Sequence, residues 1–347
     1  MNPQEVRAPR LRLMVNNAEV LGTTSAEIVQ TALCSAGRYA LTISTIEVPA
    51  LGVKYWSDVA RVHLKVQVSL NRDLPYIDLI EGYCDSIRID PILGLAHIEG
   101  RDLSVSLLES RTPGSFQNKT SSEIVAELAR AHGLDPVITA TSSLVGRYYA
   151  GDHNILSLAQ SARLATDWDM LVMLAYTEGH DVFVKGRSLY FQPHNPPGAQ
   201  VLPIYYDNLI TLRMGRHLPL NDGVQVTVKS WNSKGSYVVS ESTGGIGSAP
   251  SSSQYLRTYS AIRPGLTSDE ATSLGRRMSD SVSIHSKYIE FTMLGDTSLN
   301  PRQSIRLLGT RTAFDQLYQI ESITRRFRVQ GGYTQMVRAT RMAEIAA

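Results

Sequence analysis

Hydrophobic and polar residues alternate with a period of two along several parts of the chain. The longest run lies in residues 59–70, and shorter runs occupy residues 11–15, 86–90 and 95–99. The apolar members of the longest run are Val62, Leu64, Val66, Val68 and Leu70. Such alternation is typical of a strand with one buried face and one wet face. These runs together predict a small antiparallel barrel or sandwich over roughly residues 10–109.

The pattern changes at Thr120, where a helix signal begins. Thr120 and Glu123 have the spacing of a capping box, in which the Thr hydroxyl accepts from the Glu amide and the Glu side chain reaches back. Apolar residues then recur at helical spacing at Ile124, Leu128 and Ala131. Gly133 supplies a stop signal. We therefore predict a helix from Thr120 to Gly133.

A further helix is predicted from Thr166 to Gly179. Asp167 and Asp169 lie in its first turn, where the helix dipole favours acidic residues. Residues 154–163 predict a weaker helix before it.

Alternation returns after Gly179 and predicts a β-hairpin. Its strands are residues 181–184 and 188–192, joined by a tight turn at 185–187 and ended by Pro193. The whole block from Thr120 onward is therefore predicted to be α+β.

Strand patterns return from Val201. Alternating residues occupy 224–228 and 289–293, followed by Ile305 and Leu307, and a closing hairpin is predicted from 317–329 and 333–340. The apolar phase slips between Ile320 and Ile323, which predicts a bulge. Two features interrupt these strands, a Ser/Gly-rich loop at 240–253 and a helix that opens at the Thr267–Glu270 capping box and runs to about Asp280.

We therefore expect a mainly β fold with an α+β insertion. The chain divides into two small antiparallel β-barrel domains, the insertion, and a smaller helix and loop excursion. The expected bounds are 1–112 for the first barrel, 113–198 for the insertion, 199–235 with 286–347 for the second barrel, and 236–285 for the excursion.

Composition excludes several classes of protein. The chain has 347 residues, of which 43% are hydrophobic and 19% charged, and its net charge is +2. A whole-molecule basic field for nucleic acid is therefore not indicated. The two cysteines, Cys34 and Cys84, predict neither a disulfide framework nor a zinc site. The charged N-terminus does not resemble a signal peptide, and no apolar stretch is long enough to span a membrane, so synthesis in the cytoplasm is expected.

Candidate chemistry is sparse. The eight histidines are scattered and show no metal-ligand spacing. They are His63, His97, His132, His153, His180, His194, His217 and His285. Asp167 and Asp169 do not face each other on a helix, so they are interpreted as helix-start acids. The run Gly244–Gly247 lacks the Lys and Ser/Thr of a phosphate-binding loop and reads as a linker.

One basic run remains, Arg325, Arg326, Phe327 and Arg328. It could contact a nucleic-acid backbone. In a strand, however, Arg326 and Arg328 point one way and Arg325 and Phe327 the other, which favours a solvated edge or a partner-docking cluster. We accordingly predict no catalytic, cofactor-binding or metal site, and a protein that is not an enzyme.

Several motifs nevertheless occur in a fixed order between about residues 95 and 342. The sequence EGRDL stands at 99–103 and the helix TSSEIVAELARAHGL at 120–134. TDWDML, LAYTEG and GRSLYF then follow over 166–191, and Gly309-Thr310 precedes closing strands with YQIESI and GGY.

This ordered set resembles the phage late control protein D family, the baseplate hub proteins of contractile tails, which are related to the base of type VI secretion spike proteins. The first hundred residues are similar only in strand character. The resemblance implies a homotrimer in which each chain gives two barrels to a ring, so that a sixfold tail tube meets a threefold spike. It also implies that DNA and the tape measure protein pass through the lumen without specific binding.

The resemblance implies further partners and a location in the virion tail. The partners are a spike or tip protein, a tube or tube-initiator protein, and baseplate wedge proteins docking on the insertion. No needle or lysozyme pattern occurs in this sequence, so these are expected to be separate polypeptides. The alternatives are a spike-base component of a tailocin or type VI-like secretion apparatus, and a tail-associated cell-wall hydrolase.

Overall fold

The strands that begin and end the chain form one large sheet. The computed structural model describes residues 8–32, 34–111, 116, 119–142, 144–145, 166–194, 200–218, 224–232, 235–243, 257–262 and 268–342. The predicted helix at 154–163, the Gly244–Gly247 run and Thr267 lie outside these residues.

The first block supplies seven strands of the sheet and two short helices, α1 Val53–Asp58 and α2 Val105–Leu108. The strands are β1 Arg10–Val15, β2 Ala18–Val20, β3 Thr23–Thr31, β4 Arg38–Ser44, β5 His63–Ser69, β6 Ile77–Asp90 and β7 Leu95–Asp102. The predicted runs at 11–15, 86–90 and 95–99 are strands, and the run at 59–70 forms a strand over residues 63–69. β6 is much longer than the predicted 86–90, because residues 77–83 pair with β5 and the residues after them pair with β7.

The last block supplies the remaining strands of the sheet. They are β13 Leu202–Tyr205, β14 Thr211–Arg216, β18 Lys287–Leu294, β19 Ser304–Leu308, β20 Leu317–Arg328 and β21 Gly332–Arg341. The predicted closing hairpin is confirmed as β20 and β21. The predicted bulge is confirmed as well, since the register of this pair shifts between Ile320 and Ser322.

The two blocks are joined edge to edge by β3 and β20. These strands pair antiparallel from Thr31 opposite Ser322 to Ser25 opposite Arg328. The sheet has 13 strands, with the main order β14-β18-β21-β20-β3-β4-β7-β6-β5-β1-β2 and β13 and β19 attached beside β20. Its two blocks keep separate apolar cores, one around Leu13, Ile43 and Ile98 and one around Phe291 and Tyr318. The mainly β class is confirmed, and the single sheet adds a connection that alternation does not reveal.

The insertion is α+β as predicted. It contains β8 Lys119–Thr120, α3 Ser121–Ala131, β9 Asp135–Ile138, β10 Leu144–Val145, α4 Asp167–Glu178, β11 His180–Lys185 and β12 Ser188–Pro193. Thr120 and Thr166 both form complete capping boxes, with Glu123 and Asp169 respectively. Gly179 ends α4 in the left-handed conformation with φ of 70°. The parallel pairing of β9 with β12 was not predicted, because β9 is four residues long.

A fourth unit follows, made of β15 Val224–Asn232, β16 Gly235–Thr243, β17 Arg257–Ile262 and α5 Ser268–Ser283. Its strands form a separate three-stranded sheet, and Val226, Val228, Ala271 and Leu274 form its core. The predicted loop is wrong at 240–243, since pairing with β15 continues to Thr243. The helix is confirmed but extends to Ser283. The domain bounds stay predictions.

Gly100 sits where two strands and a tyrosine meet too closely for a side chain. A Cβ on Gly100 would lie 2.2 Å from the Tyr83 carbonyl oxygen and 2.4 Å from the Tyr39 hydroxyl. We expect Gly100→Ala to lower the free energy of unfolding by about 1–3 kcal/mol, as overpacking does. Urea denaturation followed by circular dichroism measures this.

Ser86→Ala is the matched control, since Ser86 is exposed on the neighbouring strand. It should change stability by less than about 0.5 kcal/mol. Equal urea midpoints for the two variants would contradict the close approach at Gly100.

Candidate functional site

The two helix-start acids have different surroundings. Asp169 Oδ2 accepts from the Thr166 amide at 3.0 Å, a capping contact at the helix start where the sequence predicted only that the helix dipole favours an acid. Asp167 is buried, and one of its carboxylate oxygens lies 3.0 Å from His132 Nε2. The sequence did not reveal this contact, because His132 ends one helix and Asp167 begins another.

The other histidines in the described ranges do not converge. His63 lies 3.1 Å from Glu81, His97 is bonded to Thr42, and His194 lies 2.9 Å from Asp181. In the described part of the chain no group of three or more His, Cys, Asp or Glu side chains could hold a metal ion.

The predicted alternation of the basic run is confirmed, but Arg325 is buried rather than solvated. Its guanidinium donates to Gln30 Oε1 and to the Leu299 carbonyl. Burial lowers the pKa of Arg325. Arg325 stands on β20 between Ile323, which belongs to the second core, and Phe327, which packs on the first. It is therefore a polar spacer between the two apolar cores.

Arg302 ties three units of the chain together. Its guanidinium donates to the Thr31 carbonyl at 3.4 Å and to the Ala32 carbonyl at 3.0 Å, both in the first block. Arg302 Nε lies 3.8 Å from Asp181 of the insertion, and the guanidinium stacks 4.1 Å from the centre of the Phe183 ring. Burial lowers the pKa of Arg302, while Asp181 opposes that shift.

Two other contacts fasten the helical parts. Trp168 of α4 donates its indole N–H to the Cys34 carbonyl at 2.8 Å. Arg277 of α5 donates to the carbonyls of Tyr176 and Thr177 at 3.2 and 2.7 Å, at the C-terminal end of α4. Cations are favoured there by the helix dipole.

The EGRDL motif forms the connection from the large sheet to the insertion. Half-buried Asp102 accepts from the Gly37 amide at 2.6 Å and from the Ser104 amide at 3.0 Å. Burial raises the pKa of Asp102. Arg101 donates to Asp85 at 2.7 Å, which raises the pKa of that guanidinium. The motif thus has a structural role.

One face of the large sheet is polar across both blocks. On the last block, Arg213, Glu290 and Arg338 lie opposite one another on three adjacent strands. On the first block, Glu27 of β3 lies opposite Arg326 on one side and Ala40 on the other, and Glu99 follows. The ion pairs on this face are Arg213–Glu290 at 3.5 Å, Arg338–Glu321 at 3.3 Å, Arg326–Glu27 at 2.8 Å, Arg88–Glu99 at 3.8 Å and Arg101–Asp85 at 2.7 Å.

This polar face is concave over the first block. Two hollows of about 260 and 370 Å³ adjoin there, and both are lined by Glu27, Ala40 and Glu99. Small residues on neighbouring strands open the hollows, and Arg328 lines one while Arg38 lines the other.

The polar face ends in two strand edges. Among the described strands, β14 pairs only with β18, and residues 86–90 of β6 pair only with β7. Ile210, Met214 and Leu218 are exposed along the β14 edge. An edge with unpaired backbone groups and apolar side chains is a template for another strand.

An apolar rim runs along one end of the same sheet. It consists of Leu21, Ile46, Ile92, Leu93 and Val329, on turns that are adjacent in space, and Ile92 is 93% exposed. The turns are linked by hydrogen bonds from Val329 to Thr24, Ser44 to Gly22 and Thr45 to Gly94. Several large apolar side chains exposed together indicate a contact surface.

No protein-family model matches the chain, and no curated protein matches it. Solved structures do match. A 43 kDa tail protein of prophage MuSo2 from Shewanella oneidensis has a TM-score of 0.72 at 15% identity, over 96% of this chain and 98% of that chain. A tail protein from Neisseria meningitidis has a TM-score of 0.71 at 13% identity, over 96% and 97% of the two chains.

A component of the type VI secretion system from E. coli is also similar. Its TM-score is 0.59 at 13% identity, over 96% of this chain and 77% of that chain. The chain therefore has the fold of these proteins, which confirms the resemblance to the hub family at the level of the fold. Within the described ranges no helix is both long and apolar enough to cross a lipid bilayer.

We expect Arg302→Ala to destabilise the protein by about 3 kcal/mol, because it leaves the buried Asp181 carboxylate without that cation and two carbonyls without a donor. The readout is the urea midpoint of unfolding. Arg306→Ala is the control, since Arg306 is exposed on neighbouring β19. Similar midpoints for the two alanine variants would show that Arg302 does not fasten the three units.

Proposed function

We propose that this protein is a structural hub of a phage tail baseplate, in which three copies form a ring. The observation that supports the proposal is that two strand edges bordering the polar face have no partner strand among the described residues. β14 forms one edge and residues 86–90 form the other. These are different surfaces of the chain, so a contact between them is head to tail, and such contacts close into rings when the rotation allows.

The two strand blocks support a match between symmetries. Each block has its own apolar core, and both contribute to one sheet. Three copies would place six blocks around the axis. A ring of that kind offers six similar units to a sixfold tube and three identical chains to a threefold spike.

The proposed partners follow from the same arrangement. DNA and the tape measure protein would pass along the polar face. The apolar rim at the end of the sheet suits an axial neighbour, either the tail tube or tube-initiator protein or the spike. The insertion has its own core and would receive baseplate wedge proteins. The protein would be located in the tail of the virion.

A second candidate is the spike base of a tailocin or of a secretion apparatus, and the similarity to the E. coli secretion component favours it. The ring would be the same, and the neighbouring genes discriminate the two. A tape measure gene upstream and a spike gene downstream favour the phage hub.

The third candidate, a cell-wall hydrolase, has a direct assay. We expect no clearing when the purified protein is run on a zymogram containing cell walls. Clearing by the purified chain would overturn a purely structural role.

The ring predicts a mass in solution of three times the 38.2 kDa chain, measured by size-exclusion chromatography with light scattering. We expect Met214→Glu to shift this mass to that of the monomer, because a charge on an apolar edge opposes strand pairing. Circular dichroism checks that the variant is folded.

Val137→Glu is the matched control. Val137 is 44% exposed on the insertion and Met214 is 40% exposed on the edge strand. The control should keep the trimer mass. A wild-type chain that stays monomeric at every concentration, or a trimeric Met214→Glu variant, would argue against ring closure through β14.

A further inference from the structure

The polar face is rich in arginine, although the proposed function has DNA pass along it. Besides the paired arginines, Arg38 and Arg328 line the hollows and form no ion pair among the described residues. A surface of clustered arginines binds nucleic acid through its phosphates, whatever the sequence. Negative charge must therefore offset the arginines of this face if a polyanion is to move along it.

We propose that Glu27, Glu99, Glu290 and Glu321 offset much of the positive charge of the arginines on this face, so that a nucleic-acid chain passes along it without being held. The inference rests on the proposed hub function and names the residues that keep the polar face from binding nucleic acid tightly.

Register places Glu27, Glu99 and Glu290 on one side of the sheet. Glu290 lies opposite Arg213 and Arg338, and Glu27 lies opposite Arg326. Buried residues alternate with them on the other side, including Ile28 beside Glu27 and Phe291 beside Glu290. Glu321 stands at the bulge of β20 and pairs with Arg338.

Stability does not explain these pairs. Most of the arginines involved are well exposed, with 81% for Arg213, 73% for Arg88 and 46% for Arg326. Ion pairs so exposed contribute only about 0–1 kcal/mol each. Their larger effect is on the field above the sheet, which decides whether a polyanion is attracted.

Glu27 and Glu99 are the two carboxylates that matter most for this charge balance. Both line both hollows, where they lie among Arg326 and Arg328 on one side and Arg38 and Arg101 on the other. Neutralising these two carboxylates would leave a cluster of cations in a concave surface. Phosphates would then bind where the face is most enclosed.

The test is DNA binding by full-length protein, measured by fluorescence anisotropy with a labelled duplex of random sequence at 50–200 mM NaCl. The variant combines Glu27→Gln, Glu99→Gln, Glu290→Gln and Glu321→Gln. We expect it to bind at least tenfold more tightly than wild type at low salt. The logarithm of its affinity should fall with the logarithm of salt concentration with a slope near −3 to −4, as for about four added phosphate contacts.

A control variant makes the same change in net charge elsewhere. It combines Asp58→Asn, Asp73→Asn, Asp135→Asn and Asp207→Asn, all exposed and off the polar face. It should bind DNA no better than wild type. The double variant Glu27→Gln with Glu99→Gln should give an intermediate gain and serves if the fourfold variant does not fold.

Equal affinities for the Gln and Asn variants would overturn the inference, as would tight, salt-dependent binding by the wild type. Light scattering on the same samples reports the ring separately. A monomeric wild type refutes the proposed ring, whereas a trimer whose Gln variant gains no DNA binding refutes only the role of the carboxylates.

Discussion

The pairing of β3 with β20 is the contact on which the rest of the molecule depends. It joins residues near the two ends of the described chain, since Arg325 and Gln30 are 295 positions apart. Through it two blocks with separate cores share one set of backbone hydrogen bonds. It also brings the Thr31 and Ala32 carbonyls within reach of Arg302, and Gln30 within reach of Arg325. Without this pairing the polar face would be two unrelated surfaces.

The other units are fastened differently. The insertion and the fourth unit have their own sheets and cores, and side chains such as Trp168, Arg302 and Arg277 are among the contacts that attach them. A ladder of backbone hydrogen bonds fixes the relative orientation of the two blocks at many positions. Individual side-chain contacts fix the orientation of the other units through only a few groups. The large sheet is therefore the part of the molecule with the most continuous backbone pairing, and Arg277 attaches the fourth unit to the insertion.

Local signals in the sequence predicted local structure well. The capping box at Thr120, the helix start at Thr166, the stop at Gly179 and the bulge after Ile320 depend on neighbouring residues, and all are present. The contacts of the candidate site could not be predicted from the sequence in the same way. Arg325 reads as a surface arginine because its partners, Gln30 and Leu299, are far away in sequence. The polar face could not be predicted for the same reason. Glu27 becomes the partner of Arg326 only through a strand pairing that no local sequence pattern encodes.

The same long-range pairing also affects the chain while it is being synthesised. β3 leaves the ribosome early, but β20, which covers its edge, follows almost 300 residues later. At typical translation rates this leaves the edge open for about 15–60 s. An uncovered strand edge invites pairing with other nascent chains, and contacts of such large sequence separation also slow folding. The feature that unites the finished sheet is thus the one that exposes the growing chain to misassembly for longest.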